Sequence, residues 1–302
     1  MLLLLLATAS HVPTLPVNPT LGVPGFPNCI RKHTFLDLNV SSAAKDLVCT
    51  PRKALSAQAI RVANVGDSIT AGVCSSGGDH PYPQQLQILL DAAHGEGAYS
   101  ITNLGACGST MLKSGDSPFW ERPQFDALVQ NSWDIVTIML GTNDAKDIGS
   151  SGPDNWQHDC GGDLSNCTYA SDYHDMIELI QTLGPRQDVP PLIYLLIPPP
   201  LMEQAAYGMN QTVINSIYPR LLPQIAAAKP AVTGVIDFFV PMGGEFQWDT
   251  DPTWPLQCSL EGISPKWPGC GYYCDAQSCD QCHPNDVGYA HMANVLKSGL
   301  NL

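Results

Sequence analysis

From residue 60 onward the chain alternates two kinds of apolar pattern. Short, nearly continuous apolar runs at residues 60–65, 99–104, 134–140, 192–197 and 232–239 have the length and composition of buried strands. Between and after them, residues 83–93, 123–130, 171–183, 213–228 and 286–300 place apolar side chains three and four apart, as Leu86, Leu89 and Leu90 do, and predict helices. Strands without a polar face, separated by helices, predict a parallel sheet covered on both sides, hence one three-layer α/β domain. In such sheets the loops after the strand carboxyl ends build the site. Here those loops are residues 66–72, 105–110, 141–147 and 198–201.

The flanking segments read differently. Five leucines at 2–6 followed by Ala7-Thr8-Ala9 give residues 1–9 the look of a signal peptide with a small-residue cleavage site. Residues 10–58 are Pro-rich at first and without period, an N-terminal extension to a main domain at 59–302. Within that domain residues 241–282 carry five cysteines with Trp248, Trp254 and Trp267, which marks an insertion at about 241–279. No other stretch reaches the roughly 18 apolar residues of a membrane span.

Composition narrows the function. The formal net charge is −14, which argues against nucleic acid or an anionic membrane surface as a partner. Eleven cysteines fit an oxidising compartment. The odd number leaves one thiol over; Cys160 with Cys167 would close a short loop, and cysteines from 258 to 282 would staple the insertion. Sequons at Asn39, Asn166 and Asn210 agree with export. The expectation is a secreted protein whose oligomeric state is open.

The predicted strand ends carry the candidate chemistry. The first ends in Gly66-Asp67-Ser68-Ile69-Thr70, a serine at a strand-to-helix turn beside amides that can hold an oxyanion; alone, such a tripeptide is equally a helix cap. The second reads Asn103-Leu104-Gly105-Ala106-Cys107-Gly108, where glycine lets a backbone N–H approach a substrate. The third reads Gly141-Thr142-Asn143-Asp144 and brings in a carboxamide. Before the last helix stands Asp280-Gln281-Cys282-His283, a histidine able to serve as general base with an aspartate three residues earlier to orient it. A G-x-S-x-G elbow is absent, which disfavours the α/β-hydrolase fold.

These four blocks, in this order, resemble the SGNH (GDSL) hydrolases and within them the carbohydrate acetylesterase-like branch. The resemblance runs from about residue 60 to the C-terminus. It implies a flavodoxin-like fold around a five-stranded parallel sheet, and a serine esterase that removes short acyl groups, acetyl above all, from carbohydrate. It further implies Ser68 as nucleophile, His283 as base, Asp280 as its orienter, and an oxyanion hole from the Ser68 and Gly105 N–H groups and the Asn143 side chain. No metal or cofactor is required. A disulfide between Cys74 and Cys107 would tie two site loops together, and Trp156 and His158 would line the substrate groove.

Other readings compete. Cys279-Asp280-Gln281-Cys282-His283 has the form of a c-type haem attachment site. Cys270, Cys274, Cys279 and Cys282 have spacings a structural zinc would accept. Longer acyl or lipid esters are the alternative substrates, and a non-catalytic carbohydrate binder using the tryptophans for stacking is the alternative to an enzyme.

Overall fold

The computed structural model describes residues 59–147, 154–160, 164–185, 189–244, 268–273 and 280–302, with the backbone of 29–31 and 47–49. The leader, most of the extension and most of the insertion, with its tryptophans and Cys258, Cys274 and Cys279, lie outside the described residues. Two compact units divide the chain, Met1–Ala57 and Gln58–Leu302. In the first, β1 (Cys29–Arg31) pairs antiparallel with β2 (Leu47–Cys49).

The second unit alternates as the apolar pattern predicts: β3 (Ile60–Gly66), α1 (Ser68–Ala71), α2 (Tyr82–His94), β4 (Tyr99–Gly105), α3 (Pro123–Val129), β5 (Ile135–Met139), α4 (Thr168–Gln181), β6 (Leu192–Ile197), α5 (Tyr218–Ala228), β7 (Val232–Asp237) and α6 (Asp286–Gly299). The five strands form one parallel sheet in the order β4-β3-β5-β6-β7. Right-handed crossovers in this order place α2 on one face and α3, α4 and α5 on the other; α6 returns to pack beside α2. All of β5 is buried, as is β6 after Leu192, which explains why neither strand alternates in sequence. Among the described residues no helix is long and apolar enough to cross a membrane.

Register sets up the site. Gly66 at the end of β3 pairs with Gly105 of β4 and with Met139 of β5, so three loops leave the sheet at one level. Helix ends follow local chemistry: Pro83 opens the first turn of α2, and Asn285 caps α6 by accepting from the Gly288 N–H. The helix expected at 213–228 instead begins as a π turn, Val213–Ile217, before α5. Pro219 stands at the junction, and its missing N–H cannot extend a regular ladder.

Candidate active site

Ser68 is the first residue of α1, and its neighbour takes the capping task. Asp67 Oδ1 accepts from the Ile69 N–H at 2.9 Å, which leaves the serine hydroxyl free. Ser68 Oγ lies 2.9 Å from His283 Nε2, and both residues are buried. His283 Nδ1 is 3.2 Å from Asp280 Oδ1. That oxygen also accepts the backbone N–H groups of Cys282 (2.8 Å) and His283 (2.7 Å). With the carboxylate on Nδ1, the ring proton belongs there and Nε2 is the acceptor facing Ser68.

Asp280 has more partners than its sequence motif announces. Its Oδ2 accepts from the Tyr207 hydroxyl at 2.5 Å and lies 3.6 Å from Cys74 Sγ. Burial raises the carboxyl, but the bonds from His283, Tyr207 and the two amides outweigh it and hold Asp280 well below the ordinary carboxylate range. The Tyr207 ring stands edge-on to the His283 ring, centroids 5.4 Å apart, and Tyr207 is mostly exposed. Nothing in the local sequence singled it out; its backbone at φ 56° is set by the loop after β6.

The second and third loops are tied to each other. Asn143 is buried and its Nδ2 donates to the Ser109 carbonyl at 3.2 Å. Asp144 receives the N–H groups of Met111 (2.9 Å) and Leu112 (2.6 Å). Three buried tyrosines hold the backbone that leads into Asn143: Tyr169 and Tyr173 donate to the Leu140 carbonyl, and Tyr218 to that of Gly141.

Several expectations need correction. The Gly105 N–H donates to Asn103 Oδ1 at 2.9 Å, so it is not a free oxyanion donor. Gly105 is required for another reason, since a Cβ there would stand 2.1 Å from the Ala71 nitrogen; its bareness seats α1 on β4. Gly108, three residues on, has the features wanted of Gly105: φ is 78°, the space about it is open, and among the described residues its N–H has no acceptor. The same holds for the Ser68 N–H. Trp156 is no groove lining, because it is buried edge-on against Tyr169 and Tyr218. His158 is exposed and pairs with Asp147 at 3.2 Å.

The cysteines also sort differently. Cys160 and Cys167 form a disulfide. Cys74 and Cys107 are both free and exposed, and Cys282 is free and buried, so three thiols rather than one are unpaired among the described residues. Cys74, at φ 68°, meets Asp280 Oδ2 with its thiol and is not bonded to Cys107. Cys270 is disulfide-bonded, which removes it from a four-thiolate zinc set. In the C-x-x-C-H pattern Cys279 lies outside the described residues. A cavity of about 250 Å³ beside the Cys160–Cys167 bridge contains none of the site residues.

The model of the GDSL-like Lipase/Acylhydrolase family matches residues 65–291. An acetylxylan esterase of Xylanibacter ruminicola is 36% identical over 129 residues, 42% of this chain and 22% of that relative. The chain thus spans about a fifth of that relative's length. Among solved structures, an acetyl xylan esterase, AlAXEase, superposes with a TM-score of 0.51 at 20% identity, over 80% of this chain and 100% of the other. The aryl esterase of M. smegmatis gives 0.50 at 16% identity, over 80% and 99%. These structures share the fold.

Proposed function

The chain belongs to the GDSL-like lipase/acylhydrolase family, and from that premise we propose that it is a secreted serine esterase that removes short acyl groups, acetyl above all, from carbohydrate. The observation that carries the reading is the hydrogen-bonded chain Ser68–His283–Asp280, assembled from opposite ends of the sequence at one edge of the sheet. In the proposed reaction His283 Nε2 takes the Ser68 proton as Oγ attacks the ester carbonyl. Asp280 steadies the resulting imidazolium, which then protonates the departing alcohol. Donors for the oxyanion are the Ser68 and Gly108 N–H groups and Asn143 Nδ2. Water activated by the same histidine releases the acyl group from Ser68.

The substrate class rests on the relatives, since the curated match and one structural neighbour are described as acetylxylan esterases. Export is supported by the Cys160–Cys167 disulfide and the disulfide at Cys270. The leader at 1–9, extension at 10–58 and insertion at about 241–279 remain part of the proposal. The test is hydrolysis of p-nitrophenyl acetate, butyrate and octanoate by wild type and Ser68→Ala. Acetate cleaved best by wild type and not by the variant supports the reading. Octanoate cleaved best would replace it with a longer-chain acyl esterase, and no cleavage of any ester would favour a non-catalytic carbohydrate binder.

A further inference from the structure

Against the Ser68–His283–Asp280 chain lies a group that the proposed acyl transfer does not use. The segment after α1 turns at Cys74, whose free, exposed thiol meets Asp280 Oδ2 at 3.6 Å. Cys74 Sγ, an Asp280 oxygen and a His283 ring nitrogen all lie within 4.8 Å of one another. Sulfur, carboxylate oxygen and imidazole nitrogen are the donor set that zinc and its heavier congeners accept. Tetrahedral bonds of about 2.3 Å to sulfur and about 2.0 Å to oxygen and nitrogen put donor atoms about 3.3–3.5 Å apart. Cys74 Sγ stands 3.6 Å from Asp280 Oδ2 and His283 Nδ1 stands 3.2 Å from the other oxygen, Oδ1, so the carboxylate lies between the two donors, and a cation held through one of its oxygens draws the three ligand atoms in from their 4.8 Å spread.

We propose that Cys74, Asp280 and His283 form a site for one thiophilic divalent cation, Zn²⁺ or Cd²⁺, and that filling it switches the esterase off. The cation takes the Cys74 thiolate, an Asp280 oxygen and His283 Nδ1, with water in the fourth position. The thiol proton goes to solvent. A neutral imidazole carries one proton, so metal on Nδ1 moves that proton to Nε2. Nε2–H then donates to Ser68 Oγ, the reverse of the polarity that catalysis needs, and the ring cannot accept the serine proton. Tyr207 stays on Asp280 as the partner behind a metal-bound carboxylate. Burial and then the Asp280 charge push the Cys74 thiol up to about 11; the same negative charge that holds the proton favours its exchange for a dication. Binding stands on geometry alone, whereas inhibition rests on the serine mechanism proposed above.

The experiment titrates the full chain with CdCl₂, carrying Cys107→Ser to remove the other exposed free thiol among the described residues. One Cys74-dependent ion per chain should give ultraviolet cadmium–thiolate absorption and shield one thiol from Ellman's reagent. In the same titration p-nitrophenyl acetate hydrolysis should disappear, and EDTA should restore it. Cys74→Ser, and Cys74→Gly, which suits the positive φ at this position, should lose the absorption. Each should need about tenfold more cadmium or more for half-inhibition, measured against its own metal-free rate. Unchanged absorption and half-inhibition in both variants would overturn the site. A chain that hydrolyses no ester would refute the esterase reading, while the Cys74-dependent absorption would still decide whether the site exists.

Discussion

Gly105 and Gly108 sit three residues apart, and the same substitution at each should differ sharply in its cost to activity. An alanine Cβ at Gly105 would stand 2.1 Å from the Ala71 nitrogen and 2.6 Å from Ala71 Cα and the Thr70 carbonyl carbon. These are backbone atoms of α1, the helix that begins with Ser68, and no flexible side chain can yield in their place. Restoring ordinary contact requires α1 to retreat by about 1.3 Å, at an overpacking cost of about 1–3 kcal/mol or more. Moving a nucleophile by about 1 Å costs on the order of 10²-fold in rate. At Gly108 the added methyl meets nothing within 4 Å, and the cost is that of a side chain at φ 78°, about 1–2 kcal/mol. The N–H is kept. Urea denaturation and kcat/KM on p-nitrophenyl acetate check both variants. Comparable losses of stability are expected, with kcat/KM falling about 10²-fold further in Gly105→Ala than in Gly108→Ala. Wild-type kcat/KM in Gly105→Ala, or a larger loss in Gly108→Ala, would refute this assignment of the two glycines.

Other consequences follow from the same contacts. Asn143→Ala should lower kcat by about 10²–10³ with little change in KM, and an unaltered rate would remove Asn143 from the oxyanion hole. Tyr207→Phe deletes the hydroxyl on Asp280 and should lower kcat/KM by about tenfold, the worth of a hydrogen bond to a charged group; equal rates would leave Tyr207 without a positioning role. Burial pushes the Asp144 carboxyl up to about 7 from an ordinary 3.8. The folded state therefore keeps a proton that the unfolded chain gives up, and stability should fall as pH rises from about 4 to about 7, by about 4 kcal/mol. Asp144→Asn should flatten that slope in urea denaturation, and parallel profiles for the two proteins would contradict it.

The strands, helices and four motif blocks were legible because apolar periodicity and turn residues are local properties. What pairing and loop backbone decide was not. Asn103-Leu104-Gly105-Ala106-Cys107-Gly108 offers two glycines, and only the pairing of Gly105 with Gly66 shows that the first ends a strand while the second falls in the turn. Trp156 was expected to line the groove because it follows the Asn143 loop in sequence; the tyrosines that bury it come from α4 and α5. Tyr207 and Cys74 reach Asp280 through residues at positive φ, a conformation that sequence gives little reason to expect of a tyrosine or a cysteine. Asp280 and His283 were readable together because three residues within one turn suffice to bring carboxylate and ring into contact.

The most direct test of the account is rapid-quench mass spectrometry of the protein during turnover of p-nitrophenyl acetate, with the acetyl group mapped by peptide. One acetyl per chain on the peptide containing Ser68, formed and lost at rates consistent with kcat and absent from Ser68→Ala, is the predicted result. Turnover with no acetyl on Ser68, or with the acetyl carried instead by Cys74 or Cys107, would contradict the proposal that this serine is the nucleophile.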